Sequence, residues 1–392
     1  MILRAAIFSF GIYLKIWFSS FASGARTRTP LSFLRILWLF IVFPLLMGAQ
    51  GLNWFFLVLD ELLFPAYRNA QLPKPVFISG IPRSGTTFVH REFAATGSFN
   101  TMTTWEAILA PSVTQRKILR LLAKLDRSIG NPFKKTINLA VASQTKEFNN
   151  IHAVGLDAPE EDYLSLLPAA GCFILVLLFP HSSHLWKLSN PADLDPKTCQ
   201  LLLNLYRSLV QRHIYSSSSP QKQFLSKNAI FGAWLPYLKK MFPDGKFIIC
   251  IREPQAALSS QLSSIRGGVD LFGSDREFKH FPTEFVSVYT NLFQALIHFS
   301  KNTSSNLSIL DQQILRKNSQ EYLQQTADSL ELSFSKKTLE ETELQETSES
   351  AHHLRADRVD LSGFNSEIKK MDELYQQLLK DAPLTTGESI SD

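Results

Sequence analysis

Two stretches of this 392-residue chain carry residue types suited to holding anions. The first, FISGIPRSGTTFVHREF from Phe77 to Phe93, reads as a strand, a glycine loop and a helix. Gly80 and Gly85 have the spacing of a phosphate-binding loop, G-x-x-x-x-G-K-[ST], but Thr86 stands where that motif has lysine. A cation sits earlier in the loop, at Arg83, and Thr86 and Thr87 add hydroxyl donors to the backbone N–H groups of the helix start. The second stretch, IREPQAALSS, puts Arg252 at a strand end and Ser260 eight residues on, past Pro254. A metal-dependent triphosphatase has an acidic residue at that second strand end. Arginine there cannot hold Mg²⁺, but it can clamp a second phosphate. The chemistry expected is binding of one ligand through two separated phosphate groups, with no metal. No Cys/His cluster suggests a metal site, and Cys172, Cys199 and Cys250 are too scattered for a disulfide framework.

Positioning such groups needs a sheet. PVFISG (75–80), QFLSKN (223–228) and GKFIICIREP (245–254) read as strands, and a fourth is expected near Leu307–Leu310. Helices are expected at 86–95, 111–149, 196–215, 233–243, 317–330 and 364–380. In the second of these, Ile118, Leu121, Leu122 and Leu125 fall in one stripe. AGCFILVLLF (170–179) reads as a buried helix or an apolar wall beside the site. The alternation implies an α/β fold of three layers, a central parallel sheet between helices. That domain is expected over residues 72–380, with 381–392 as a disordered tail.

Residues 1–66 are a different material. Ile36–Leu59 holds 24 uncharged residues, long enough to cross a bilayer. Pro44, Gly48, Gln50, Gly51 and Asn53 interrupt it, so interfacial helices or a re-entrant hairpin also fit. Residues 5–22 are apolar but broken by Lys15. This region is expected to be a membrane-associated helical anchor, in a bacterial inner membrane, or in the Golgi as a single-pass protein. The alternative is a helical hairpin buried against the soluble domain. Net charge is +5, compatible with anionic substrates or a membrane surface and too diffuse to indicate nucleic acid. Oligomeric state is not readable.

The two anion motifs resemble a known family. PRSGTT (82–87) looks like the 5′-phosphosulfate loop of the sulfotransferases that use 3′-phosphoadenosine 5′-phosphosulfate (PAPS), and IREPQAALSS (251–260) looks like their 3′-phosphate motif. SKNAIFGAWLPYLKKMFPDGKFIICIREP (226–254) is similar to the segment that joins them. TWEAILAPS (104–112) resembles the bacterial and tyrosylprotein-type branch. The resemblance covers roughly residues 75–265. It implies PAPS as sulfuryl donor, PAP as product, no metal, and a small-molecule, lipid or glycan acceptor whose hydroxyl or amine attacks in line. It implies that Arg83, Ser84, Gly85, Thr86 and Thr87 hold the phosphosulfate, with Arg83 stabilising the leaving group, and that Arg252 and Ser260 hold the 3′-phosphate. It implies Lys227 beside the bridging oxygen and Glu106 as general base. Glu106 also fits a helix cap after Thr103 or Thr104. His90 is the rival base, though its place suits a helix-packing histidine better. Glu160, Glu161 and Asp162 read as a helix cap or an acceptor-site wall, with the cap preferred. Arg266-Gly267-Gly268 is a candidate further phosphate contact, His352 and His353 are candidate cofactor neighbours, and Ile309-Leu310-Asp311 stands where the family has an acidic strand. A P-loop kinase or triphosphatase, and a non-catalytic membrane scaffold of the same fold, remain the competing readings.

Overall fold

The computed structural model describes residues 2–21, 31–132, 157–303, 305–334 and 359–380. Five strands form one sheet: β1 (Val76–Gly80), β2 (Phe99–Thr101), β3 (Gln223–Lys227), β4 (Lys246–Ile251) and β5 (Leu307–Asp311). The order is β2-β3-β1-β4-β5, and every pairing is parallel. Helices are α1 (Ile2–Ser19), α2 (Phe33–Leu63), α3 (Thr86–Ala95), α4 (Thr104–Ile108), α5 (Val113–Ser128), α6 (Ser183–Lys187), α7 (Pro196–Ser216), α8 (Leu235–Met241), α9 (Pro254–Phe272), α10 (His280–Lys301), α11 (Gln312–Lys317), α12 (Ser319–Ser329) and α13 (Asn365–Lys380).

The strands are apolar on both faces because both faces are covered. Successive residues point to opposite sides, so Phe77, Phe247, Ile249 and Ile309 enter one core while Val76, Ile78, Ile248 and Cys250 enter another. The smaller core takes Val89 and Phe93 of α3 and Leu323 of α12. The larger takes Ala257 and Leu258 of α9, Leu292 and Leu296 of α10, and Met371 of α13. The helices that follow β1 and β4 therefore leave to opposite faces of the sheet. The crevice between these two strand ends is a topological switch point, where open α/β sheets bind ligands.

The N-terminal helices share the larger core rather than standing apart from it. Tyr13, Trp54 and Leu57 belong to it, and the Trp54 indole donates to the Pro168 carbonyl at 2.8 Å. Within α2 the turns at Trp38–Val42 widen to π-helical spacing. Pro44 lies at the start of the following α-helical stretch, where a wider turn accommodates the missing N–H and the ring. At its far end Asp60 is fully buried and accepts from the Val113 and Thr114 N–H groups and from Arg212 Nε, at 2.8, 2.9 and 3.0 Å.

Candidate active site

The loop after β1 is shaped by three backbone demands. Gly80 has φ +142°, and a Cβ there would lie 2.0 Å from the Cys250 carbonyl oxygen, so the loop leaves the sheet directly against β4. Gly85 has φ +94° and starts α3. Between them Arg83 takes φ +68°, a left-handed conformation that costs a non-glycine residue about 1–2 kcal/mol. Its carbonyl is held there by the Arg252 Nη1 donor at 3.0 Å and Gln312 Nε2 at 3.3 Å. Ser84 Oγ donates to the Cys250 carbonyl at 2.9 Å, which ties the loop to β4 a second time. The result sets the N-terminus of α3 at the crevice, where a helix start favours an anion.

The second motif comes to the same place. Arg83 Nε donates to Ser260 Oγ at 3.1 Å, across 177 residues of sequence. Arg83 and Arg252 are half-buried, and burial holds both below the usual guanidinium range. Arg252 falls to about 10, from burial first and then from the charges of Arg316 and Arg83. Arg316, on α11, had no motif to mark it. Tyr289 of α10 is another addition: its hydroxyl donates to the Pro82 carbonyl at 3.1 Å and bears on both arginines. Among the described residues neither Arg83 nor Arg252 forms an ion pair with a carboxylate. Desolvated guanidinium groups facing one another form a strong demand for an anion.

Lys227 ends β3, level with Ile78 of β1. Its side chain is buried, and its ammonium pairs with Glu160 at 3.3 Å and Glu161 at 3.0 Å. Burial alone would lower its pKa, but the two carboxylates outweigh it and raise it, so the lysine is charged. The acidic cluster is therefore not the helix cap that its sequence favours. Asp162 is buried and accepts from Ser226 Oγ (2.9 Å), Lys227 N (3.0 Å), Asn228 Nδ2 (2.9 Å) and the Tyr206 hydroxyl. Burial raises its pKa to about 6 against the pull of these donors. It clamps the end of β3 in place. His90 is buried on α3. Burial, then the Lys227 charge, press its pKa to about 3, so it is neutral.

Glu106 lies in the first turn of α4. The Thr103 N–H donates to its Oε2 at 3.2 Å as part of a capping box, and Arg120 Nη2 donates to Oε1 at 3.0 Å. The cap reading of Glu106 is thus present in the geometry. Burial would raise its pKa; Arg116, the Thr103 N–H and Arg120 prevail and lower it. It is a buried, ionised carboxylate. His213, 3.6 Å away, is pressed to about 3 by burial and Arg116, so the contact is polar rather than ionic.

The structure brings Arg83, Ser84, Gly85, Arg252 and Ser260 together, with Thr86 and Thr87 opening the adjoining helix. Arg266 is not among them: it is exposed, pairs with Asp270 at 3.2 Å and covers the Phe278 ring. Asp311 ends β5 as expected, but it caps α11 and accepts from the Tyr375 hydroxyl at 2.5 Å. His352, His353 and the far half of the helix expected at 111–149 lie outside the described residues. No cluster of potential metal ligands occurs among the described residues. An open depression of about 590 Å³ lies at the opposite end of the strands, beside Lys74, Pro75 and Asp244, away from these groups.

Comparison with known proteins bears on the family and the fold. The sulfotransferase family model matches residues 75–336. The fold is similar to the crystal structure of sulfotransferase STF1 from Mycobacterium tuberculosis, with TM-score 0.67 and 15% identity over 95% of this chain and 92% of that one. It is also similar to sulfotransferase STF9 from Mycobacterium avium, with TM-score 0.58 and 15% identity over 87% and 85%. No curated protein sequence matches the chain. With two thirds of its length matched by the family model and the same three-layer fold, the chain belongs to the sulfotransferase family.

Proposed function

We propose that this protein transfers a sulfuryl group from PAPS to an acceptor hydroxyl or amine. The carrying observation is the convergence of the two anion motifs: Arg83 reaches Ser260, and Arg252 holds the Arg83 carbonyl. Arg83, Ser84, Gly85, Thr86 and Thr87 would hold the 5′-phosphosulfate, and Arg252 with Ser260 the 3′-phosphate. The groups fit such a ligand: Gly85 opens the helix at the site, and among the described residues neither arginine forms an ion pair with a carboxylate. When bound, PAPS supplies the sulfuryl group and a phosphate leaving group.

The acceptor oxygen or nitrogen bonds to sulfur as the bond from sulfur to the bridging oxygen breaks, and PAP departs. Arg83 and Lys227 stabilise the negative charge that gathers on the phosphate, being fixed before the reaction begins. Glu106 takes the acceptor's proton, for which its ionised form is the required one. Glu160 and Glu161 are a second candidate pair for that proton, since both already sit on the Lys227 ammonium.

Calorimetric titration with PAP and with ATP, each with and without Mg²⁺, tests the donor. Metal-independent PAP binding that Arg252→Ala weakens by about 10- to 150-fold is expected; preference for Mg²⁺-ATP would replace this reading with a kinase or triphosphatase. Once an acceptor screen has a hit, Glu106→Gln is expected to lower kcat by about 10²–10⁴-fold. If Glu161→Gln does so and Glu106→Gln does not, the base is the carboxylate on Lys227.

The N-terminal region is proposed to associate with a membrane, on the strength of two long apolar helices. A bacterial inner membrane suits three unpaired, buried cysteines. A lipid, glycan or other small molecule would be the acceptor.

A further inference from the structure

The exposed apolar surface continues past the N-terminal helices onto α5. After its first turn this helix presents its apolar stripe outward: Ile118, Leu121, Leu122 and Leu125 are 41–58% exposed, while Asp126 is buried. A helix that served only as packing would be turned the other way. α5 lies beside α2, joined by Gln115 Nε2 to Asn53 Oδ1 at 2.7 Å and by the Asp60 carboxylate. On its other side α2 meets α1, where Trp17 stacks on Phe43. Ile7, Phe10, Phe40, Leu45, Phe55 and Leu62 of α1 and α2 are each more than half exposed. Three adjacent helices thus share one apolar surface, larger than scattered single residues would make.

The way α2 is fastened decides how that surface meets lipid. Its inner side is bound to the α/β domain along its whole length. Arg35 donates to Leu178 O at 3.2 Å, Trp38 to Leu271 O at 2.9 Å and Trp54 to Pro168 O at 2.8 Å; Asp60 pairs with Arg212 at 3.0 Å. To cross a bilayer, α2 would carry these domain contacts into hydrocarbon or break them. Charge points the same way. The exposed charged residues of the three helices are Arg4, Lys15, Lys117, Lys124 and Arg127, all basic. Their acids are hidden: Asp60 and Asp126 are buried, and Glu61 pairs with Arg212 and Arg68. Apolar residues with a basic fringe are the pattern of helices that lie in the headgroup region of an anionic bilayer.

We infer that α1, α2 and α5 form a single monotopic face that rests in the plane of an anionic bilayer surface, with α2 lying along it rather than crossing it. This rests on the membrane reading above, and the test separates the two. The purified full chain is floated with vesicles of phosphatidylcholine alone or doped with phosphatidylglycerol. Flotation is expected on the anionic vesicles, reduced by salt, and weakened about tenfold or more by L121S with L125S. The three native cysteines are buried, so L45C can carry a fluorophore alone. A quencher high in the acyl chain is expected to quench it more strongly than one near the bilayer centre. No flotation on any vesicle would overturn both the membrane reading and this inference. Flotation indifferent to L121S with L125S, with the deep quencher the stronger, would leave a spanning anchor and overturn the in-plane face. A chain that ignores vesicles but is a dimer by mass photometry, and a monomer after the double substitution, would assign the face to a second copy.

Discussion

Arginines drawn in from the surface occupy two regions of this molecule in opposite ways. At the join between α2 and α7, Arg212 is fully enclosed and fully partnered. It pairs with Asp60 at 3.0 Å and Glu61 at 2.6 Å, donates to Ser208, and lies 3.8 Å over the Tyr67 ring. At the crevice between β1 and β4, Arg83 and Arg252 are also withdrawn from water, yet their partners are a serine hydroxyl and a backbone carbonyl. Satisfied charge fastens elements together; charge desolvated without a counter-ion is a standing cost that an anionic ligand relieves. One arrangement holds the N-terminal layer to the domain. The other is consistent with a place for phosphate.

Removing a carboxylate should separate the two regions most sharply. Asp60→Ala takes one of the two carboxylates of Arg212, leaving Glu61 alone to pair with it, and frees the buried Val113 and Thr114 N–H groups, which is expected to cost about 3–5 kcal/mol in a urea melt. PAP affinity, measured under conditions where the variant is folded, should not change. A shift below about 1 kcal/mol would mean that α2 is not anchored by this pair.

Arg252→Ala should behave the other way round. It removes a desolvated charge repelled by Arg83 and Arg316, so stability should stay within about 1 kcal/mol of the parent. PAP affinity should fall by about 10- to 150-fold, the value of a lost hydrogen bond to a charged group. If stability collapsed while affinity held, Arg252 would be a structural clamp for the strained Arg83 carbonyl, and the contrast between the two regions would fail.

This contrast also shows how much the sequence discloses. Strand, glycine loop and helix follow one another within a single short stretch, so β1 and α3 were legible, and α3 spans Thr86–Ala95 as expected. Arg252 and Ser260 were legible because a strand end and a helix start give them a fixed relation. Arg316, Tyr289 and Gln312 were not. They reach the crevice from α10 and α11, and only the folded sheet makes them neighbours of Arg83. β2, three residues long and polar in part, carried too little pattern to be read. Periodicity marks the stripe on α5 as helical, but it gives a helix's apolar side without saying what lies against it. The same limit applied to 160–162, where only tertiary contact shows that the carboxylates face Lys227.

Glu106 can sharpen the comparison by pH. Its carboxylate is stabilised by Arg116, Arg120 and the Thr103 N–H, so its folded pKa lies below its unfolded one. It then contributes stability at pH values above the unfolded pKa, and that contribution is lost as pH falls through the folded pKa. Glu106→Gln preserves the capping geometry. Its unfolding free energy is expected to run parallel to the parent's at low pH and to fall below it by about 1 kcal/mol near neutrality. A difference that does not change with pH would mean the carboxylate's charge is not engaged.

The smallest effect is expected at Ser260. Its hydroxyl accepts from Arg83 Nε at 3.1 Å, and the hydroxyl proton remains available to a ligand. Ser260→Ala removes one neutral group and leaves both arginines, so PAP affinity should fall by roughly 2- to 10-fold, in line with a single hydrogen bond of about 0.5–1.5 kcal/mol. Its use lies in coupling. If Ser260 only props the Arg83 side chain, its substitution should cost nothing further once Arg83 is alanine. If it also contacts the 3′-phosphate, the loss should persist in the Arg83→Ala background and disappear with a ligand lacking that phosphate. A double-mutant cycle with PAP and with adenosine 5′-phosphate measures both, and so reports whether one arginine–serine pair spans two phosphate sites or belongs to one.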